Sequence, residues 1–296
     1  MPPTSLVCVV TGATSGIGRA SAFALASHVG HLFLLGRDES RGCQLRDLLA
    51  RRHPGTSVEF VAADLSSLSE VRRLAGQIRE RTSRIDVLIN NAGARFDSFR
   101  QSADGHELTF ATNHLGHFLL TSLLMEALLA APSVRVINVS SSAHAAATRP
   151  ERWLMTSDDY DRRQAYARSK LANLLFTYEL ARRLSDSSIT ANAVHPGIVR
   201  SGFARNNGLV SWLKHVLSHG LRRELISAAR GAETITWLAT SREVSGSSGG
   251  YYFQKNPVPS SKLSLDPVLA RQLWDESVQL SGIDSSIGLA WKWFSP

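Results

Sequence analysis

The sequence of 296 residues is poor in the residues that mark several protein classes. It has two cysteines, Cys8 and Cys43, which are too few for a disulfide framework or a cysteine-based zinc site. It contains no run of about 18 apolar residues, so we expect no transmembrane helix. Because the first predicted strand starts at Leu6, no room is left for a signal peptide, and we expect a reducing, cytoplasmic location.

Lysine is also scarce, since the 33 basic residues comprise 28 arginines and five lysines. The net charge of +8 and the pI of about 10.0 raise the question of a nucleic-acid partner. The arginines, however, are scattered in ones and twos, as at Arg51-Arg52 and Arg182-Arg183, with no basic stripe interleaved with aromatics. This pattern favours a solvated surface and predicts no nucleic-acid binding.

What the sequence does have is alternating apolar runs and helical patterns. The hydrophobic fraction of 43% and charged fraction of 20% exclude a disordered or fibrous chain. Ser67 followed by Glu70 marks the start of one amphipathic helix. Buried strands are predicted at Leu6–Val10, Leu32–Leu35, Val58–Ala62, Val87–Ile89, Val134–Val139, Thr190–Val194 and Gly249–Phe253. The alternation predicts a single α/β, doubly wound (Rossmann) domain whose seven-stranded parallel sheet is flanked by helices.

The last third of the chain departs from this rhythm. We predict one domain over residues 1–296, with a substrate lid over about 203–230 and a C-terminal extension over about 255–296. Asp266-Pro267 predicts a helix start within the extension. Gly231–Ala239 predicts another helix, which lies before the extension. The aromatic end, Trp291, Trp293 and Phe294, favours packing onto the domain or onto a sister subunit over contact with a membrane.

A glycine-rich turn follows the first predicted strand. Gly12, Gly16 and Gly18 lie between that strand and a helical run, spaced G-x-x-x-G-x-G. Glycines here permit a tight turn and let a pyrophosphate approach the backbone at a helix N-terminus, where free N–H groups favour an anion. We therefore predict a dinucleotide-binding site.

The end of the second predicted strand bears on which dinucleotide binds. An acidic residue there would hold the ribose hydroxyls of NAD, but the sequence has Gly36 followed by Arg37. A guanidinium suits the 2′-phosphate of NADP, and Arg41 lies one turn later. We predict NADP(H), although an ordinary surface arginine with Asp38 as a helix cap is the alternative.

Tyr166 and Lys170 carry the strongest chemical signal. Four residues apart on a predicted helix, they share one face, and an ammonium beside a phenol favours the phenolate and lowers its pKa. Ser141 follows the fifth predicted strand, where a hydroxyl can orient a substrate oxygen, with Ser140 and Ser142 as immediate rivals. A proton donor of this kind needs no metal.

These motifs together resemble the short-chain dehydrogenase/reductase family over nearly the whole chain. The matches come in the family's order: Thr11–Gly18, Asp64, Asn90-Asn91-Ala92-Gly93, Asn113, Asn138-Val139-Ser140-Ser141, Tyr166-x-x-x-Lys170 and Pro196-Gly197. The resemblance implies a catalytic tetrad of Asn113, Ser141, Tyr166 and Lys170, with Tyr166 exchanging the proton and Asn113 holding a relay water. It also implies cofactor contacts from Gly12, Ser15, Gly16, Ile17, Gly18, Arg37, Asp64, Leu65, Asn91, Ala92, Gly93, Tyr166, Lys170, Pro196, Gly197, Val199 and Ser201.

Within the family, the chain resembles the retinol dehydrogenase branch. The strings that carry this resemblance are Gly36-Arg37-Asp38, Thr112–Phe118, Ser169–Asn173 and His195-Pro196-Gly197. They are similar in light-dependent protochlorophyllide reductases, so reduction of a carbon–carbon double bond is an alternative to alcohol–carbonyl chemistry. A regulatory NADP-binding protein without turnover is a second alternative. The resemblance also implies a homodimer formed through the helices that carry Asn113 and Tyr166.

The substrate is less defined than the chemistry. Apolar residues in the predicted lid indicate a lipophilic alcohol, aldehyde or ketone, unless they only fasten the lid to the core. These residues are Phe203, Leu209, Val210, Trp212, Leu213, Val216 and Leu217.

Overall fold

Parallel strands with apolar side chains on both faces form the centre of the molecule. The computed structural model describes residues 6–199 and 225–283. Its strands are β1 (Val7–Thr11), β2 (His31–Gly36), β3 (Ser57–Ala62), β4 (Val87–Asn90), β5 (Val134–Val139), β6 (Ile189–Val194), β7 (Ile198–Val199), β8 (Leu225–Ile226), β9 (Tyr251–Phe253) and β10 (Asn256–Pro257). Within these residues, eight strands form one sheet in the order β10-β9-β6-β5-β4-β1-β2-β3, and β7 pairs with β8 separately.

Helices cover both faces of this sheet. They are α1 (Gly16–Leu25), α2 (Glu39–Arg52), α3 (Leu68–Arg81), α4 (Leu108–Phe110), α5 (Gly116–Leu123), α6 (Met125–Leu129), α7 (Arg162–Arg183), α8 (Ala228–Thr240) and α9 (Pro267–Ser281). A π-helical turn, Ala111–Leu115, joins α4 to α5, and Ser142–Ala146 and Lys262–Leu265 form 3₁₀ helices. The predicted α/β class with a largely parallel sheet flanked by helices is confirmed.

The alternation of side chains along β1 assigns them to two cores. Val7 and Val9 pack with residues of α3 and α5 and with Trp274 of α9. Cys8 and Val10 face the opposite side and pack with α1, α2 and Ile235 of α8. Burial raises the pKa of the Cys8 thiol, so this cysteine is an inert core residue, as its place in a strand predicted.

The sheet has one strand more than the predicted seven, because the antiparallel strand β10 is added to seven parallel strands. All neighbours in the sheet are parallel except β9 and β10, which form an antiparallel hairpin. Its two turn residues, Gln254 and Lys255, have positive φ values of 49° and 64°. Asparagine and glycine are the usual residues at such positions, so no turn could be predicted from Gln254 and Lys255. Pro257 is compatible with the place of β10 at the edge of the sheet.

Helix starts follow their sequence signals closely. Asp266 accepts hydrogen bonds from the Val268 and Leu269 backbone N–H groups and caps α9, as predicted. Ser67 caps α3 by accepting from the Glu70 N–H, whereas the Glu70 carboxylate binds Arg73. In a full capping box the Glu70 carboxylate would accept a hydrogen bond from the Ser67 backbone N–H. Here it forms an ion pair with Arg73 instead.

Two predicted segments fall only partly on described residues. Of the lid over 203–230, the structure describes residues 225–230, which form β8, the Ser227 cap and the start of α8, so this helix begins three residues before the predicted Gly231. Ser201, the apolar lid residues from Phe203 to Leu217, and the aromatic end at Trp291, Trp293 and Phe294 lie outside the described residues.

Candidate active site

The predicted site residues converge on one crevice at the carboxyl ends of the strands, except for Asn113, which is fully buried and does not line it, and Ser201, which lies outside the described residues. The glycine turn follows β1, Arg37 follows β2, Asp64 follows β3, and Ser141 follows β5. A cavity of about 1880 Å³ occupies this edge of the sheet. This volume exceeds that of an ordinary small-molecule pocket, which suits a dinucleotide together with a second ligand. The predicted residues that line it are Gly12, Ser15, Gly16, Ile17, Gly18, Arg37, Asp64, Leu65, Asn91, Ala92, Gly93, Ser141, Tyr166, Lys170, Pro196, Gly197 and Val199.

The glycine turn is too tightly packed for any side chain. Gly12 has a φ of +67°, and a Cβ there would lie 2.8 Å from the Cα of Ala92. A Cβ on Gly18 would lie 2.2 Å from the carbonyl oxygen of Gly12. The Ser15 side chain does not cap α1, so the first N–H groups of this helix face the cavity without a side-chain acceptor. The turn thus fits a pyrophosphate at a helix N-terminus.

We expect Gly18→Ala to weaken NADPH binding by about 10- to 100-fold, because overpacking of about 1–3 kcal/mol must displace the Gly12 carbonyl. The control is Gly76→Ala in α3, where a Cβ meets nothing within 4 Å. That variant should gain about 0.5–1 kcal/mol in unfolding free energy and bind NADPH normally. Fluorescence titration with NADPH measures both affinities, and equal affinities would contradict the packing argument.

A series of hydrogen bonds connects Thr11, just before the glycine turn, to Asn91 and Ala92, which follow β4. The Thr11 hydroxyl oxygen accepts hydrogen bonds from the Asn91 and Ala92 N–H groups, at 2.8 and 2.9 Å. The Asn91 side chain donates to the Thr11 carbonyl at 2.7 Å. Asn91 and Ala92 are therefore held as a fixed floor under the cofactor site, although the sequence offered no signal for the part that Thr11 plays.

The series of hydrogen bonds continues from Thr11 through His117 to the π-helical turn that contains Asn113. His117 Nε2 lies 2.9 Å from the Thr11 hydroxyl, and His117 Nδ1 lies 3.0 Å from the Asn113 carbonyl oxygen. Because a carbonyl only accepts, Nδ1 carries the proton and Nε2 accepts from Thr11. Burial lowers the pKa of His117 to about 4, which keeps the ring neutral and this arrangement fixed at neutral pH.

Asn113 is fully buried in the π-helical turn. Its side-chain oxygen accepts from the Ala94 N–H at 2.7 Å, and its amide donates to the Ala94 carbonyl and to the Ser169 hydroxyl, both at 2.9 Å. Both amide hydrogens are thereby used within the protein. The Asn113 side chain clamps the segment after β4 onto α7.

One end of the cavity, where we predict that the adenosine half of the cofactor binds, contains the predicted cofactor selector Arg37. Arg37 Nη1 lies 3.9 Å from Asp64, and both side chains are about half exposed. A Cβ on Gly36 would come within 2.9 Å of Thr14, so an acidic residue at this position would not fit without a shift. Asp38 caps α2 and pairs with Arg41 at 3.1 Å, which confirms the cap reading of Asp38.

Tyr166 and Ser141 meet at the opposite end, and the structure separates the three candidate serines. Ser140 is buried and donates to the Lys170 carbonyl at 2.8 Å. Ser142 is exposed at the start of the 3₁₀ helix. Ser141 hydrogen-bonds to Tyr166. Among the three, Ser141 is thus the one whose hydroxyl faces the phenol.

The pKa of Tyr166 is raised, whereas the sequence predicted a lowered one. Burial is the largest cause, and the hydrogen bond with Ser141 and the charge of Arg95 oppose it. The Lys170 ammonium lies 5.8 Å from the ring centroid of Tyr166 and donates to the Val139 carbonyl at 3.0 Å. Burial also lowers the pKa of Lys170 to about 8, so desolvation outweighs the attraction that the spacing implied.

This lowered pKa predicts a distinctive alkaline stability profile. Because folded Lys170 loses its proton near pH 8 while unfolded lysine does so near 10.5, the unfolded chain holds more protons between these values. Stability should therefore rise with pH across this window, by about 3 kcal/mol relative to Lys170→Met. Urea unfolding of both proteins from pH 7 to 10.5 measures the difference, and parallel profiles would refute the burial of a titrating ammonium.

The segment after β6 closes the cavity from the side. Gly197 has a φ of +84°, which requires a glycine-like conformation, and a Cβ there would meet Ile226 of β8 at 3.1 Å. Pro196, Gly197 and Val199 line the cavity beside α8. These positions fit the predicted contact with a nicotinamide ring.

Sequence reasoning missed two residues at the tyrosine end. Arg95 lines the cavity two residues after the Asn-Asn-Ala-Gly motif, and its charge so soon after that motif was the available signal. His144 Nδ1 donates to the Ser141 carbonyl at 2.7 Å, and its Nε2 accepts from the Ser261 N–H at 3.1 Å. His144 thereby fixes the Ser141 loop against the C-terminal segment, a contact that no local pattern announces.

Comparison with known proteins identifies the family. A model of the short chain dehydrogenase family matches residues 6–209. The chain belongs to the short-chain dehydrogenase family. This dehydrogenase is 38% identical over 293 residues to human retinol dehydrogenase 13, a match that covers 94% of this chain and 85% of the relative. It is 34% identical over 286 residues to the chloroplastic short-chain dehydrogenase TIC 32 B of Brassica napus, covering 93% and 88%.

A solved structure extends the likeness to three dimensions. A protein from Mycobacterium paratuberculosis superimposes with a TM-score of 0.70 at 33% identity, covering 95% of this chain and 96% of that one. The match to human retinol dehydrogenase 13 confirms the predicted resemblance to the retinol dehydrogenase branch. In the described part of this dehydrogenase, no helix has the length and apolar character that a membrane crossing requires.

Proposed function

We propose that this dehydrogenase uses NADP(H) to interconvert an alcohol and the corresponding carbonyl compound. The observation that carries the proposal is the contact of Ser141 with Tyr166 in the same cavity as the glycine turn and Arg37. The glycine turn and Arg37 would hold NADP(H), which when bound would supply the hydride in carbonyl reduction or accept it in alcohol oxidation, while the protein would give or take the proton at the oxygen.

Tyr166 is the proposed donor of that proton. Its phenol is protonated at neutral pH and can act as a general acid, while the hydrogen bond with Ser141 and the charge of Arg95 offset part of the rise in pKa that burial causes. Ser141 would hold the reacting oxygen against the phenol. Lys170 would bind the nicotinamide ribose with the N–H groups that do not donate to Val139, and the Asn113 carbonyl would contribute to a proton relay.

The proposed cofactor preference rests on this chain's own residues. A side chain at position 36, such as the carboxylate that would favour NAD, would have to displace the Thr14 side chain, and the half-exposed Arg37 guanidinium lies at the proposed adenosine end. Asp64 and Leu65 would contact the adenine ring, and Asn91, Ala92 and Gly93 would support the adenosine half. These roles fit the packing of the crevice, and Ser201 is proposed for the carboxamide on resemblance alone.

A lipophilic substrate is the proposed class. The relative retinol dehydrogenase 13 is named for a lipophilic alcohol, and the apolar residues in the sequence of 203–217 agree with such a substrate. We also propose a reducing, cytoplasmic location and a homodimer. The apolar residues of α5 and α6, however, pack against the sheet within one chain, so the dimer needs its own test by light scattering.

The decisive experiment follows NADPH consumption across lipophilic aldehydes, ketones and steroids, with NADH in parallel. Turnover with NADPH and hydrophobic carbonyls is the expected result. Equal or faster turnover of short, sugar-like carbonyls would refute the lipophilic class. Tight NADPH binding with no turnover in the whole panel would instead support a regulatory protein, and light-dependent turnover of a porphyrin would support double-bond reduction.

A further inference from the structure

The tyrosine end of the cavity carries an excess of positive charge. Among the described residues that line the cavity, the two carboxylates, Asp38 and Asp64, both lie at the adenosine end. Asp38 is already paired with Arg41. At the other end, Arg95, Arg163 and Lys170 line the cavity around Tyr166. Lys170 has a proposed role at the nicotinamide ribose, whereas the alcohol–carbonyl chemistry proposed above assigns none to Arg95 or Arg163.

Arg95 is held in position by the residues on both sides of it. Ala94 is clamped through its N–H and its carbonyl to the Asn113 side chain. Phe96 is buried, and its carbonyl accepts a hydrogen bond from the Tyr160 hydroxyl at 2.8 Å. The backbone of Arg95 is thus fixed at two neighbouring points, so its side chain enters the cavity from a rigid support.

The guanidinium of Arg95 acts on the reacting end of the cavity. Its charge lowers the pKa of Tyr166, against the larger effect of burial, and it acts in the same direction on Tyr160. Arg163 lies one helical turn before Tyr166 on α7, where its side chain is exposed at the rim of the cavity. Arg95 and Arg163 therefore both line the cavity in which the substrate's oxygen would meet Tyr166 and Ser141.

We propose that the substrate carries a carboxylate, which binds Arg95 while its carbonyl or hydroxyl oxygen lies against Tyr166 and Ser141. This inference rests on the proposed function and narrows it to oxo acids and their hydroxy acid products. An arginine in a fixed position is suited to a carboxylate, since its fork of N–H groups matches the two oxygens. A lipophilic chain between the carboxylate and the reacting carbon remains compatible with the apolar class proposed above.

The test uses a ladder of straight-chain ω-oxo acids, each compared with its own methyl ester, in NADPH-consumption assays. The acid and the ester share the reacting aldehyde and differ in charge. At one best chain length, we expect the native protein to prefer the acid by about 10- to 100-fold in kcat/KM, the range that a charge-assisted hydrogen bond provides. Added KCl should reduce this preference in the native protein.

Two substitutions test whether Arg95 is the source of the preference for the acid over its methyl ester. Arg95→Met should lower the acid-to-ester ratio to near one. Arg100→Met is the matched control, because Arg100 belongs to the same segment, is exposed, and lies against Phe96 outside the cavity lining. It should keep the native ratio. Because Arg95 also affects the pKa of Tyr166, the ratio is compared rather than the rate, so that any change in proton transfer cancels.

The outcomes separate this inference from the function on which it rests. Turnover of both acid and ester with a ratio that is near one in the native protein, or unchanged in Arg95→Met, would overturn the inference and leave the oxidoreductase in place. Failure to oxidise NADPH with the ladder and with the broad carbonyl panel would overturn the proposed function, and the carboxylate assignment with it. If Arg95→Met fails to fold, Arg95→Lys and the salt dependence of the native ratio decide the question.

Discussion

Tyr166→Phe should lower kcat by about 10²- to 10⁴-fold, the range that a positioned proton donor contributes, while leaving the dissociation constant of NADPH within about threefold. The substitution removes one hydroxyl and keeps the ring that packs beside Lys170, 5.8 Å from its ammonium. The loss of turnover would therefore reflect the missing proton. Stopped-flow kinetics gives kcat, and fluorescence titration gives the affinity.

Two comparisons make the Tyr166 result specific. Ser140→Ala is the control for Ser141→Ala, because Ser140 donates to the Lys170 carbonyl whereas Ser141 contacts the phenol. Ser141→Ala should impair turnover far more than Ser140→Ala at equal NADPH affinity. Retained turnover in Tyr166→Phe would remove Tyr166 from the chemistry, even if the fold and the cofactor site proved correct.

Replacing Arg37 by methionine should shift the preference between NADPH and NADH by about 10- to 100-fold toward NADH. The reason is the loss of charge-assisted hydrogen bonds to the 2′-phosphate, which NADH lacks. The change should appear in the KM for NADPH, with kcat nearly constant, because the adenosine end lies far along the cavity from Tyr166. Steady-state kinetics with both cofactors measures the ratio.

Arg51→Met is the matched control for Arg37→Met, since Arg51 is an exposed arginine on α2 that does not line the cavity. It should leave the cofactor ratio unchanged. A similar shift in both variants would indicate a general effect of net charge on a polyanionic ligand. If neither variant changed the preference between NADPH and NADH, Arg37 would not select the cofactor and would be an ordinary surface residue.

The regular elements could be predicted because their signals are local. The buried strands appeared as short apolar runs, and Asp266 and Ser67 marked helix starts that the structure places at Pro267 and Leu68. The order of the motifs then predicted the family, which the match over residues 6–209 confirms. The hairpin at Gln254-Lys255 was not predicted, because neither residue is one that usually marks a hairpin turn.

By itself the sequence determined the fold class, the family and many of the residues that line the crevice, because periodicity, caps and motif order are properties of neighbouring residues. Only the tertiary structure decided which serine contacts Tyr166, that Arg95 lines the same cavity, and that the pKa of Tyr166 is raised. These features depend on burial and on charges contributed by distant segments. Spacing along one helix could bring Lys170 to the face of Tyr166, but the direction of the pKa depends on how much water the whole fold excludes.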